Sequence, residues 1–78
     1  MSRLTLYYKP TCPYCHKVLS FMENAGIHLS LKNILESPEA REELTAKGGK
    51  SQVPALEIDG KIMYESEDII AYLKEHAA

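Results

Sequence analysis

The only two cysteines of the chain are separated by two residues, in the run Cys12-Pro13-Tyr14-Cys15. The run follows an alternating apolar segment and opens a segment with helical spacing, so Cys12 is predicted at a helix N-terminus. Unpaired backbone N–H groups and the positive end of the helix dipole favour the thiolate there, and the thiolate is the reactive form. Two such sulfurs can form and break a disulfide within one protein, which indicates a dithiol redox centre.

Metal and haem chemistry compete with this interpretation. A structural zinc site usually needs four protein ligands, and beside its two cysteines the chain offers three scattered histidines: His16, His28 and His76. Cys12 to His16 also spells the Cys-x-x-Cys-His haem attachment motif, although a small α/β core has little room for a covalent haem. Closely spaced cysteines in a reducing compartment favour catalysis or metal binding over a structural staple. Because no obvious set of metal ligands is present and a haem has little room, the redox interpretation is preferred.

The elements that hold the pair follow from the apolar spacing and the turn residues. Strands are predicted at residues 3–8, 28–34, 55–58 and 61–64, with Leu29 and Leu31 on one face of the second. Helices are predicted to begin at Pro13, after the cap Ser37 and after the cap Ser66, the first two ending at Gly26 and at Gly48-Gly49. Asp59-Gly60 predicts a hairpin turn.

The predicted order, β-α-β-α-β-β-α, indicates an α/β fold. A compact strand–helix–strand unit implies a parallel strand pair, and the hairpin adds an antiparallel portion. The expected result is a four-stranded mixed sheet flanked by three helices, formed by a single domain over residues 1–78.

Composition narrows the partners and the location. The net charge of −2 gives no support to nucleic acid or an anionic membrane as a partner. No apolar run approaches the roughly 20 residues that a membrane span needs, and residues 1–4 lack the apolar stretch of a secretory signal. We therefore expect a cytoplasmic monomer.

The motifs together resemble a glutaredoxin over essentially the whole chain. The resemblance rests on the Cys12-to-Cys15 run after the first strand, Val53-Pro54 before the third, and the acidic helix start at Ser66-Glu67-Asp68. It implies a thioredoxin fold and a glutathione-dependent thiol–disulfide oxidoreductase acting on protein disulfides and glutathione mixed disulfides. Cys12 is then the nucleophile and Cys15 the resolving thiol, with glutathione as co-substrate and no permanently bound cofactor or metal.

The resemblance also predicts where glutathione binds. The expected residues are Lys9, Tyr14, Gln52, Val53, Pro54, Ser66 and Glu67. Pro54 would follow a cis peptide bond, and the free backbone groups of Val53 would pair with the cysteinyl backbone of glutathione. The helix start at Ser66 and Glu67 would take the γ-glutamyl carboxylate and ammonium; Lys9 and Gln52 are candidates for the glycine carboxylate.

One segment departs from the family pattern. Many glutaredoxins carry a Gly-Gly-Cys-Asp-Asp type run where this chain has Tyr64-Glu65-Ser66-Glu67-Asp68. Glu65-Ser66 instead resembles the Glu-Ser pair of the N-terminal domain of glutathione transferases. Three alternatives stay open. Glu65-Ser66 suggests a transferase-like conjugating enzyme, and the other two are a glutathione-ligated iron–sulfur cluster carrier and a thioredoxin-like reductase served by a protein reductase.

Overall fold

A computed structural model of the protein describes residues 4–76. Over this range the elements are β1 (Leu4–Tyr8), α1 (Pro13–Ala25), β2 (Ser30–Asn33), α2 (Pro38–Gly48), β3 (Ala55–Ile58), β4 (Lys61–Met63) and α3 (Ser66–His76). The strands form one sheet in the order β2-β1-β3-β4, in which β1 pairs parallel to β2 and the other two pairings are antiparallel. The predicted α/β architecture, a four-stranded mixed sheet with three helices in the thioredoxin fold, is confirmed.

Both faces of the central strand β1 are buried. Leu6 lies opposite Leu56 in the register and joins the apolar cluster that holds residues of α1 and α3. Tyr7 lies opposite Ala55 and joins a second cluster with residues of α2. Both Leu6 and Tyr7 are fully buried, so α1 and α3 cover one face of the sheet and α2 the other.

The second strand differs from its prediction. It begins at Ser30 rather than at residue 28, and Leu31 remains 48% exposed. The physical reason is that β2 is an edge strand, so apolar alternation there does not guarantee that a helix covers the side chain.

Most predicted helix and turn signals are confirmed. Gly26 and Gly49 end α1 and α2 in the left-handed region, with φ of 69° and 88°. The Ser37 hydroxyl accepts a hydrogen bond from the Ala40 N–H at 3.2 Å, which caps α2. Asp59-Gly60 turns the hairpin between β3 and β4, with positive φ at both residues.

The predicted cap of α3 is wrong by one residue. The helix begins at Ser66, and the carbonyl of Glu65 accepts the first helical bond, from Ile69 N–H at 2.9 Å. Glu65 therefore occupies the N-cap position, and Ser66 is a buried first-turn residue with 9% exposure. Over residues 4–76, no helix has both the length and the apolar character needed to cross a membrane.

Candidate active site

Cys12 occupies the N-cap position of α1. Its backbone is extended (φ −92°, ψ 117°), and its side chain makes no capping bond. Its N–H donates to the Lys9 carbonyl and its carbonyl accepts from the His16 N–H, each at 3.1 Å. Pro13 fills the first helical position, where no backbone donor is lost to the helix. The backbone of Cys12 therefore holds its half-buried sulfur at the start of the helix.

The surroundings lower the pKa of the Cys12 thiol. Partial burial is the largest single influence and opposes ionisation, but hydrogen bonds to the thiolate outweigh it in sum. They come from the backbone and side chain of Cys15 and from the backbone of Tyr14, and the charge of Lys9 adds to them. Cys12 is consequently the thiol of the pair that ionises first.

Cys15 is the opposite case. It lies one turn into α1 and is fully buried. Burial raises the pKa of its thiol to about 12 against a backbone hydrogen bond at Lys9, and the neighbouring Cys12 raises the pKa further through a hydrogen bond and its charge. The two thiols are therefore chemically unequal, with an accessible thiolate beside a buried, protonated partner.

Val53 and Pro54 meet the cysteines across the fold. The Val53–Pro54 peptide bond is cis, as the resemblance implies. The Cys12 thiol donates to the Val53 carbonyl at an Sγ–O distance of 3.7 Å. The pairing of β3 with β1 extends only to Ala55, so the backbone polar groups of Val53 lie outside the sheet ladder. A backbone segment next to the thiol can thus pair with a bound peptide.

A cleft of about 490 Å³ lies beside this segment. Its lining comes from the start of α1, the residues before β3 and the start of α3: Tyr14, Lys17, Gln52, Val53, Pro54, Tyr64, Glu65, Ser66, Glu67 and Asp68. Six of the predicted glutathione-binding residues are brought together here. Lys17 was missed, although it follows Tyr14 by three residues on a helix, a spacing that places both on one face.

Lys9 does not line the cleft. It borders a separate recess of about 200 Å³ together with Arg41 and Ser51. Its charge nevertheless lowers the pKa of Cys12. The structure therefore places Lys9 near the sulfur but apart from the other predicted binding residues.

The start of α3 supplies the charged end of the cleft. Its first backbone N–H groups carry the positive end of the helix dipole, which suits a carboxylate. Glu67 is 85% exposed and forms a loose ion pair with Lys17, at 3.7 Å between Oε1 and Nζ. An ion pair this exposed is weak, so both side chains are available to a zwitterionic ligand.

Tyr64 is fixed at the rim of the cleft. Its hydroxyl donates to the Lys50 carbonyl at 2.9 Å, and Lys50 Nζ lies 4.7 Å from the ring centroid. Gly48 permits this position, because a Cβ atom there would lie 1.9 Å from the Tyr64 hydroxyl oxygen. Tyr64, one of the two residues that stand in place of the paired glycines of many glutaredoxins, is therefore accommodated by a glycine in α2.

The side chain of His16 contacts the loop before α1. It is exposed, and its Nε2 atom contacts the Pro10 carbonyl oxygen. Within residues 4–76, no group of three or more histidine, cysteine or acidic side chains lies close enough together to hold a metal ion.

Comparison with known proteins places the chain in a family. Residues 4–63 match the glutaredoxin family. Glutaredoxin 3 of Escherichia coli strain K12 is 30% identical over 71 residues, which are 91% of this chain and 86% of that protein. The chain belongs to the glutaredoxin family. As a glutaredoxin, it is a thiol–disulfide oxidoreductase, which agrees with the unequal thiol pair at Cys12 and Cys15.

Two further similarities reach beyond Glutaredoxin 3. The glutaredoxin-like protein NrdH of Escherichia coli strain K12 is 37% identical over 54 residues, covering 69% of this chain and 65% of that protein. The solved structure of glutathione transferase Omega 3C from Trametes versicolor superposes with a TM-score of 0.78 at 30% identity. This glutaredoxin aligns over 92% of its own length with 32% of the transferase chain.

Proposed function

We propose that this glutaredoxin uses glutathione to reduce protein disulfides and glutathione mixed disulfides, with Cys12 as nucleophile and Cys15 as resolving thiol. The observation that carries the proposal is the unequal ionisation of two thiols beside one cleft. The pKa of Cys12 is lowered and that of the buried Cys15 is raised. Glutathione serves as co-substrate of a monomeric catalyst without a resident prosthetic group.

The proposed reaction begins at Cys12. Its thiolate attacks the glutathione sulfur of a mixed disulfide, a Cys12–glutathione disulfide forms, and the substrate sulfur leaves as a thiolate that takes up a proton. A second glutathione, as its thiolate, then attacks the glutathione sulfur of that intermediate. Oxidised glutathione is released and the Cys12 thiolate leaves. A low pKa helps most in this second step, because a low-pKa thiolate is a good leaving group.

Cys15 provides the route for substrates bound as a protein–Cys12 mixed disulfide. Once Cys12 is in a disulfide it carries no charge, so its contribution to the raised pKa of Cys15 disappears. The Cys15 thiolate then attacks the Cys12 sulfur, the substrate leaves as a thiolate, and an internal disulfide forms. Two glutathione molecules reduce that disulfide and leave as oxidised glutathione.

The cleft suits glutathione as a ligand. Val53 offers its carbonyl and N–H to the cysteinyl backbone of the tripeptide, and Pro54 and Tyr14 line the wall beside it. The start of α3 at Ser66 offers N–H donors to the γ-glutamyl carboxylate, and Glu67 offers a carboxylate to the ammonium. At the glycine end, Gln52 lies within the cleft.

Two observations keep rival electron sources and reactions worth testing. The thioredoxin fold is shared with thioredoxin-like reductases, which take their electrons from a protein reductase. Glu65-Ser66 and the similarity to a glutathione transferase suggest a rival reaction, the conjugation of glutathione to an electrophile.

The deciding experiment supplies the same protein with glutathione and glutathione reductase, with a thioredoxin reductase, or with glutathione and an aryl halide. NADPH consumption on a small mixed disulfide is followed in the first two assays and conjugate absorbance in the third. We expect turnover with glutathione to dominate. Faster turnover with the protein reductase, or conjugation faster than reduction, would overturn the proposal.

A further inference from the structure

We propose that the groove formed by α2 and the turn that precedes it binds an extended segment of the protein substrate. The segment carries an acidic side chain near its reacting cysteine and an aliphatic side chain farther along. The groove, here called the Leu35 groove, is lined by Lys9, Ile34, Leu35, Pro38, Arg41 and Ala46. The inference rests on the proposed function, in which glutathione fills the cleft at α3 and leaves the protein half of the mixed disulfide to be held elsewhere.

The Leu35 groove reaches Lys9, a residue that is hydrogen-bonded to Cys12. It consists of recesses of about 200 Å³ and about 650 Å³ that share Ile34, Leu35 and Arg41. The smaller recess is also lined by Lys9, whose carbonyl accepts the Cys12 N–H at 3.1 Å. A substrate segment whose disulfide reacts at Cys12 can therefore extend past Lys9 toward α2.

Leu35 is displayed to solvent by a fixed backbone. Leu35 is 58% exposed. The Asn33 side-chain oxygen accepts from Leu35 N–H at 2.9 Å and from Glu36 N–H at 3.4 Å, and the Asn33 carbonyl accepts from Ser37 N–H at 3.0 Å. These bonds hold the turn between β2 and α2, so the exposed leucine is an ordered apolar contact for a partner.

Charge gives the Leu35 groove a direction. Lys9 and Arg41 form no ion pair with any residue in the range 4–76, whereas three other lysines pair with glutamates. The acidic lining residue Glu42 belongs only to the larger recess, away from Lys9. The positive end thus lies nearest Cys12, which favours an acidic side chain close to the reacting cysteine of the partner.

The test uses glutathionylated peptides of equal length that carry Asp next to the cysteine and Leu farther along, Lys and Leu at the same two positions, or Asp and Ser there. The reduced protein is mixed with each peptide, and the rate of glutathionyl transfer to Cys12 is followed by mass spectrometry. In this step the Cys12 thiolate takes the glutathione sulfur and the peptide sulfur leaves as a thiolate. The mixed disulfide of cysteine and glutathione serves as the small comparator.

Two groove variants and two controls complete the design. Arg41→Glu should slow the Asp–Leu peptide about tenfold at low salt and speed the Lys–Leu peptide, because an attraction becomes a repulsion. Leu35→Ser should slow the Asp–Leu peptide about threefold and leave the Asp–Ser peptide unchanged. Neither variant should alter the rate with the small comparator. Lys61→Glu and Leu31→Ser change an exposed cation and an exposed leucine outside the groove and should leave all rates unchanged.

The inference is overturned if Arg41→Glu and Leu35→Ser leave the peptide rates unchanged, or change the peptide and the small comparator equally. It is also overturned if the control variants have the same effect as the groove variants. The transfer step needs no recycling by glutathione. Loss of glutathione-driven turnover with peptide selectivity retained would therefore overturn only the proposed function, and the reverse result only the groove.

Discussion

The Sγ atom of Cys12 lies 3.7 Å from the carbonyl oxygen of Val53, 41 residues later in the chain. As a thiol, Cys12 donates a hydrogen bond to that oxygen. As a thiolate it has no hydrogen to donate, so ionisation removes the bond and leaves the Val53 carbonyl free to accept an N–H from a bound peptide. The same proton loss thus creates the nucleophile and opens a backbone acceptor at the cleft.

The first prediction concerns the ionisation of Cys12. Since hydrogen bonds from Cys15 lower the pKa of the Cys12 thiol, its alkylation rate should rise with pH to a midpoint below the ordinary value for cysteine. Cys15→Ala removes the side-chain donor and should raise the midpoint. Cys15→Ser keeps a donor and should raise it less. Iodoacetamide kinetics followed by mass spectrometry measure both, and a midpoint unaffected by Cys15→Ala would contradict the assigned cause.

The second prediction concerns Glu67. If its carboxylate receives the glutathione ammonium, Glu67→Gln should raise the KM for glutathione roughly two- to fivefold, the equivalent of about one exposed charge pair. The value of kcat should stay nearly constant, because a contact made equally in ground and transition states affects KM alone. Glu23→Gln neutralises an exposed glutamate of α1 outside the cleft and is the matched control. Equal KM values in the two variants would remove Glu67 from the binding site.

The third prediction concerns Gly48 in α2. Replacing glycine by alanine inside a helix usually stabilises a protein by about 1 kcal/mol. Here Gly48→Ala should destabilise it, because the new Cβ would lie 1.9 Å from the Tyr64 hydroxyl oxygen. In a Tyr64→Ala background the same substitution should cost much less. Urea unfolding of the two single variants and the double variant measures the coupling. Additive effects would show that the cost of Gly48→Ala does not arise from a clash with Tyr64.

The fourth prediction concerns stability at alkaline pH. Burial and the charges of Glu57 and Glu43 raise the pKa of Tyr7 to about 12, and its hydroxyl donates to Glu57 at 3.2 Å. The unfolded chain loses the Tyr7 proton near pH 10, so ionisation favours unfolding. The free energy of unfolding should fall by up to ~3 kcal/mol between pH 10 and 12.

The check separates the effect of Tyr7 from that of Cys15, whose thiol pKa is also raised. In a Cys15→Ser background, Tyr7→Phe should flatten the fall in the free energy of unfolding between pH 10 and 12. Glu57→Gln should weaken that fall, because it removes one of the charges that raise the pKa of Tyr7. Denaturant titrations at a series of pH values give the slopes. A Tyr7→Phe slope equal to that of the parent would assign the alkaline loss to other groups.

Local signals predicted much of the fold. Proline and glycine fixed the ends of α1 and α2, and the pair Asp59-Gly60 fixed the hairpin, because each acts through its own backbone preferences. The start of α3 was misplaced by one residue because Ser66 and Glu65 can both stand at a helix start. The sequence offered no signal that the serine side chain would be buried.

Long-range contacts were the harder part. Alternation in β1 predicted a strand but not that Tyr7 would be buried beneath α2, since burial on the second face depends on where the chain returns. The separation of two candidate carboxylate partners was equally hidden, because the sequence offered both Lys9 and Gln52 for the glycine carboxylate. Tertiary folding separates them, placing Gln52 in the cleft and Lys9 in the Leu35 groove.

The roles of the two cysteines are decided by glutathione-coupled turnover of a small glutathione mixed disulfide, measured for wild type, Cys12→Ser and Cys15→Ser. We predict that Cys12→Ser abolishes activity, because it removes the attacking thiolate. Cys15→Ser should keep a substantial part, because a second glutathione resolves the Cys12–glutathione disulfide without Cys15. Equal loss in the two variants, or activity retained by Cys12→Ser, would contradict the assignment of nucleophile and resolving thiol.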